Sequence, residues 1–222
     1  MKKKAIIISI KGLRLSIQEK LLLSKGKPWG LILFKRNIKT IKQTKKLVGD
    51  IKKYSKNKKF PILIDEEGGS VSRLTEIFNH NINSNFFGKL FESDKDVANS
   101  MYKSYLKSLC KNLKKIGVNI NTIPVLDVLR NNTNSIIGTR SFSKNKEIVK
   151  HFGRLTVKEC HAQKILTVIK HMPGHGCSTK DSHLTLPRVN LDESSLNKTD
   201  FYPFKLTSAK LAMTAHILYS KI

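Results

Sequence analysis

Acidic residues and arginine are scarce in this sequence, and lysine fills the gap. Sixteen Asp and Glu face 42 Lys and Arg, seven of them Arg, for a formal net charge of +26. An excess of that size raises the question of a polyanionic partner. Nucleic-acid readers, however, rely on arginine forks for base edges and on aromatic platforms for single strands. With seven Arg and 7% aromatic residues, and lysines scattered over every predicted helix, neither pattern is visible, so no nucleic-acid partner is expected. Cysteine is equally sparse. Cys110, Cys160 and Cys177 are an odd, widely spaced set, which excludes a disulfide framework and a Cys-x-x-Cys site and fits a reducing cytoplasm. No apolar run reaches transmembrane length. Met1-Lys2-Lys3-Lys4 followed by Ala5–Ile10 imitates a signal peptide. Its apolar run falls short of the usual ~7–15 residues, and no small-x-small cleavage site follows. Those residues read as a first strand, and no membrane partner is expected. No Gly-rich phosphate loop follows that strand, which argues against a nucleotide-binding Rossmann unit, and no cofactor is expected. Low-complexity segments, internal repeats and linkers are also missing, so 1–222 reads as a single domain.

What is present is an alternation of short apolar runs with longer amphipathic ones. Strands are expected at 5–10, 30–34, 60–64, 118–126, 165–169 and 211–215. Helices are expected at 17–25, from Ile41 onward, at 94–116 and at 145–163, with a further helix after Ser194 broken at Tyr202-Pro203. Ser16 and Thr40 are capping residues, and Gly117 is a stop signal. Residues 79–93 and 129–143 look irregular and are expected to form rim loops. Fully apolar strands imply a parallel sheet buried on both faces, with helices outside. Either a doubly wound sheet or a (β/α)8 barrel fits. Polar residues end at least four strands (Arg36, Asp65, Asp127, and Lys170 with His171), and drawing chemistry from many strand ends is the habit of the barrel. Six strand–helix units, against the eight of a closed barrel, predict an α/β fold of the TIM-like type that is incomplete.

The stretch Lys170-His171-Met172-Pro173-Gly174-His175-Gly176-Cys177-Ser178-Thr179-Lys180-Asp181-Ser182-His183 gathers titratable groups directly after the fifth apolar run. Lys170 and His171 are donors suited to sugar or phosphate oxygens. Asp181 and His183 lie two apart, and a carboxylate beside an imidazole fixes its tautomer and raises its basicity, which suits a general acid/base. Taken alone, Asp-x-His fits a turn cap beside a surface histidine equally well. His171, His175, Cys177 and His183 also include metal-ligand types. Pro173 and Gly174 break the helix that would align the two nearest histidines, so no metal is expected. A basic protein that binds sugar or nucleic acid without catalysis is a further alternative.

The longer string, through Leu186-Pro187, resembles the signature of bacterial β-N-acetylhexosaminidases of glycoside hydrolase family 3, usually Lys-His-Phe-Pro-Gly-His-Gly. Gly30–Asn37, Ile64–Arg73 (IDEEGGSVSR), Ile123–Val128 (IPVLDV), Gly138–Phe142 (GTRSF) and Met213–His216 (MTAH) resemble further blocks of that family in the same order. The resemblance implies a TIM-like barrel and a retaining exo-glycosidase that removes terminal β-linked N-acetylglucosamine, in bacteria chiefly from peptidoglycan fragments in the cytosol. It also implies His183 with Asp181 as the acid/base pair, and Asp65, Arg73, Arg140, Lys170 and His171 as substrate contacts. His175 and His216 fall in matched blocks, as direct participants or as pocket walls. Met172 replaces the usual Phe, Ser70 stands at a commonly Arg position, and 79–92 lack the expected Pro-containing block. The family's nucleophile is an Asp in a Ser-Asp-Asp-Leu-x-Met-like segment after the seventh strand. No such segment occurs in these 222 residues, and Asp192, Glu193 and Asp200 are not convincing substitutes. Little or no hydrolysis by these residues alone is therefore expected. A six-unit barrel should also expose two sheet edges and associate.

Overall fold

The computed structural model describes residues 3–79, 81–180 and 184–222. Six parallel strands form its main sheet in the order β1 (Lys4–Ile8), β2 (Pro28–Leu33), β3 (Ile62–Ile64), β4 (Ile120–Asn121), β5 (Leu166–Met172) and β7 (Leu211–Thr214). The register runs Leu31 to Ile62, Leu63 to Ile120, Ile120 to Leu166 and Val168 to Leu211. The sheet curls into a partial barrel, as expected. Alternation along each strand divides the apolar residues between its faces. Ile62, Ile64 and Ile169 join the large core under the helices, whereas Leu63, Ile120 and Val168 form a smaller cluster on the opposite face.

The helices α1 (Ile17–Leu21), α2 (Ile41–Tyr54), α4 (Lys95–Ile116) and α5 (Lys146–Ala162) start and stop where the local chemistry directs. Ser16 and Glu19 form a reciprocal capping box, and Thr40 accepts the Gln43 N–H. Gly117, at φ +86°, ends α4 in the left-handed conformation that glycine adopts at least cost. Leu47, Val48 and Ile51 of α2, and Leu106, Leu109, Leu113 and Ile116 of α4, are buried against the sheet. The helix expected after Ser194 is two, α6 (Glu193–Lys198), capped by Asp192, and α7 (Tyr202–Leu206), parted just before Tyr202-Pro203, which opens α7.

Several expectations need correction. Residues 84–93 are not rim loop but helix α3 (Ser84–Ser93), capped by Asn83. Phe87 buries itself 4.7 Å from the Tyr102 ring, and the missing side chain of Gly88 lets the Phe142 carbonyl come so near that a Cβ would sit 1.8 Å from its oxygen. The strand expected at 118–126 pairs over Ile120–Asn121 alone and resumes as a single bridge, Val125 to Lys170. Pro124 interrupts it because it has no N–H to donate. The first strand is not buried. Ile6 and Ile7 are 50% and 46% exposed, because β1 pairs on one side, with β2. The fifth strand runs on to Met172, so Lys170 and His171 are strand residues. The first helix gives way after Leu21 to a π-turn over Leu22–Gly26. A small second sheet pairs β6 (Arg188–Val189) with β8 (Leu218–Tyr219).

Candidate active site

A cavity of about 340 Å³ opens at the C-terminal ends of the strands. Asp65, Arg73, Arg140, Lys170 and His171, the five substrate contacts that the family resemblance implies, all line it, together with Glu67, His175 and His216. They arrive from separate parts of the chain. Asp65 and Glu67 leave β3 two residues apart and face the same way. Lys170 and His171 lie near the end of β5, just before Met172, Arg140 comes from the rim segment between β4 and α5, and His216 follows β7. Asp181 and His183 lie outside the described residues.

A buried ionic network organises the floor. Lys170, 2% exposed, ion-pairs with Glu67 and donates to Thr122 Oγ1 at 3.0 Å and Asp65 Oδ1 at 3.4 Å. Arg140 forks onto Glu67, with Nε to Oε2 at 2.8 Å and Nη2 to Oε1 at 2.9 Å. Its Nη2 also lies 3.3 Å from His171 Nε2, and its Nη1 donates to the Ile136 carbonyl at 2.9 Å. Asp65 takes a hydrogen bond from Thr122, and its other oxygen faces Arg73 Nη2 at 3.7 Å.

Behind this layer sits Asp127, fully buried. Its Oδ1 accepts the backbone N–H of His175 at 2.7 Å and of His171 at 3.2 Å, and its Oδ2 lies 2.7 Å from His171 Nδ1. A guanidinium can only donate. Arg140 therefore makes His171 Nε2 an acceptor, which places the ring proton on Nδ1, toward Asp127. The neighbours of the ring thus dictate its tautomer.

The electrostatics follow from burial set against partners. Burial alone would raise the Asp65 carboxyl, but the Lys170 ammonium, the Thr122 hydrogen bond and Arg73 outweigh it and hold the group below its ordinary value. Glu67 behaves likewise through Lys170 and Arg140, and Asp127 through His171 and His175. Burial wins at Glu66, whose carboxyl is raised although Ser72 Oγ and the N–H groups of Arg73 and Leu74 donate to it. His175 is lowered, chiefly by burial.

Glu67 is a site residue that the sequence reading misses, although Asp-x-Glu at a strand end carries the signal: residues two apart share a face. Asp127 is legible in sequence as a strand-end residue but not as the partner of His171. Arg36, the other such strand-end residue, is no part of the cavity and bonds the Ile10 carbonyl instead. Asp200 is buried in an ion pair with Arg130, and Asp192 caps a helix, so each has a structural role. Among the described residues no group of three or more His, Cys, Asp or Glu is placed to hold a metal ion. None of their helices is long and apolar enough to cross a membrane.

Parallel strands curled into part of a barrel, with a polar cavity at their C-terminal ends, define a protein of the (β/α)8 type. Residues 3–222 match the glycosyl hydrolase family 3 N-terminal domain, and the chain belongs to that family. It is 34% identical to β-hexosaminidase A of Pseudoalteromonas piscicida over 199 residues, covering 86% of this chain and 33% of that protein. With the β-hexosaminidase of Alkalilimnicola ehrlichii it shares 33% identity over 222 residues, covering 98% of this chain and 63% of that protein. NagZ from Neisseria gonorrhoeae in complex with N-trifluoroacetyl-D-glucosamine superposes with a TM-score of 0.92 at 30% identity, over 99% of this chain and 64% of that one. The chain thus spans between one third and just under two thirds of the length of these proteins.

Proposed function

We propose that residues 1–222 form one partial barrel domain of a cytoplasmic β-N-acetylhexosaminidase. Its substrate is terminal β-linked N-acetylglucosamine on peptidoglycan fragments or related glycosides, and its reaction is retaining exo-hydrolysis. The observation that carries this reading is the convergence of Asp65, Arg73, Arg140, Lys170 and His171 on one cavity. Carboxylates and charged donors held in fixed positions suit the hydroxyls of a single ring. The sugar-type ligand held by the gonococcal relative supports the same substrate class. His183, oriented by Asp181, is the acid/base of this reading.

Retaining hydrolysis also needs a nucleophile. The family's Asp-bearing segment is not among these 222 residues, so they bind the sugar but turn it over little or not at all. Two measurements on the 222-residue chain test this: equilibrium binding of N-acetylglucosamine, and turnover of an aryl β-N-acetylglucosaminide. Saturable binding with negligible turnover is expected. Robust turnover contradicts the nucleophile assignment, and absence of binding contradicts the sugar site.

A further inference from the structure

The cavity presents three cations, Arg73, Arg140 and Lys170, in a chain whose net charge is +26. Cations at strand ends are also how proteins hold phosphate. Two of them are already engaged, while Arg73 only faces Asp65 at 3.7 Å, its buried Nε without a hydrogen-bond partner among the described residues. An ammonium has three donors, and those of Lys170 meet Glu67, Thr122 and Asp65 one for one. A guanidinium has five. Four of those on Arg140 go to Glu67, His171 and Ile136.

Both cations meet at the Glu67 carboxylate, which is almost wholly enclosed, its side chain 3% exposed. Asp65 faces Arg73, and Asp127 balances the back of the site. Three carboxylates thus stand against three cations. The neighbouring Glu66 commits both its oxygens to Ser72 and to backbone N–H groups. Arg140, aligned by Glu67, donates in turn to His171 and sets the ring tautomer there.

We propose that Glu67 is a positioning and specificity residue. By clamping Lys170 and Arg140 it keeps the cavity charge-balanced for a neutral sugar, refuses an anion, and through Arg140 fixes the His171 tautomer. This rests on reading the cavity as a sugar site. It adds a role for a residue that need not touch the sugar.

Glu67→Gln removes one negative charge and replaces two acceptor oxygens with one. In the 222-residue chain it should weaken N-acetylglucosamine binding at least tenfold. It should also let inorganic phosphate bind at millimolar concentration where the parent does not, and disturb the imidazole 15N pattern of His171, protonated at Nδ1 in the parent. A merely structural carboxylate would not exchange a preference for sugar for one for phosphate. A folded Glu67→Gln protein that still excludes phosphate and keeps the parental His171 pattern overturns the proposal. If that variant does not fold, Glu67→Asp decides. It keeps the charge but is one methylene shorter, so it should still exclude phosphate while altering the His171 pattern; an unaltered pattern overturns the proposal. The phosphate and 15N readouts need no sugar. A parent chain that fails to bind N-acetylglucosamine would therefore refute the sugar-site reading, while those two readouts would still decide the role of Glu67.

Discussion

Buried charge at this site is tolerable because each carboxylate has a cation or several N–H groups in reach. That arrangement ties stability to pH with a definite sign. Asp65, Glu67 and Asp127 are held below their ordinary values. Their stabilisation is complete above the unfolded carboxyl range and is lost as pH falls through the folded values. His175 is also lowered, so acid costs stability there too, beginning near the ordinary histidine value of about 6.5. Thermal melts should therefore decline gently below about pH 6.5 and steeply below about pH 4. Asp127→Asn should flatten the acid limb while lowering the melting temperature at neutral pH. An acid limb of unchanged steepness in that variant would count against Asp127 as a contributor.

Thiol chemistry offers a second check at the same scale. Cys110 and Cys160 are fully buried, with Sγ atoms 3.7 Å apart, and Cys177 is part-buried. Burial, reinforced by the nearby Asp200 carboxylate, pushes the Cys177 thiol up to about 12. The thiolate is the nucleophile. Alkylation of the native chain at pH 8 should therefore be slow at Cys177, and burial should shield Cys110 and Cys160; all three should label promptly after denaturation. Asp200→Asn should accelerate labelling at Cys177.

At the scale of elements, the sequence is most legible where one periodicity runs long. Helices α4 and α5 fall within a residue of their expected bounds, and α2 starts at the expected Ile41, because caps and apolar spacing agree there. Helix α3 is not legible in the same way. Residues 79–93 look irregular in sequence, and the driving contacts of α3, Phe87 on Tyr102 and Gly88 on the Phe142 carbonyl, are tertiary. Those contacts make a sharp prediction. Gly88→Ala forces a methyl group into a backbone carbonyl and should destabilise by about 1–3 kcal/mol, the usual cost of overpacking, readable in chemical denaturation. Gly49→Ala, inside α2 with nothing within 4 Å of the added carbon, should by contrast stabilise by about 0.5–1 kcal/mol. In the site, the family resemblance names the five residues that the fold brings to one cavity. Glu67 and the Asp127–His171 pair become visible only when partners far apart in sequence are brought together.

At the scale of the molecule, the main sheet of the described residues has edges at β1 and β7. On β1, which pairs only with β2 among the described strands, Ile6 and Ile7 are exposed. An edge that is both apolar and unpaired is a template for association. At micromolar concentration the 222-residue chain should self-associate in light scattering, despite its net charge of +26. An Ile6→Lys, Ile7→Lys double variant should reduce that association without altering the cavity. The expectation of a buried first strand fails at this scale, because an apolar run in sequence does not say on how many sides it will find neighbours.

Asp65, Arg73, Arg140, Lys170 and His171 line one cavity, and everything proposed about function depends on it. The most direct measurement is a crystal structure of the chain soaked with N-acetylglucosamine. The expected result is one sugar in the cavity, its hydroxyls within hydrogen-bonding distance of Asp65 and Arg140, with Glu67 still clasping Lys170. Density for the sugar elsewhere, or an empty cavity in crystals soaked to saturation, would contradict it.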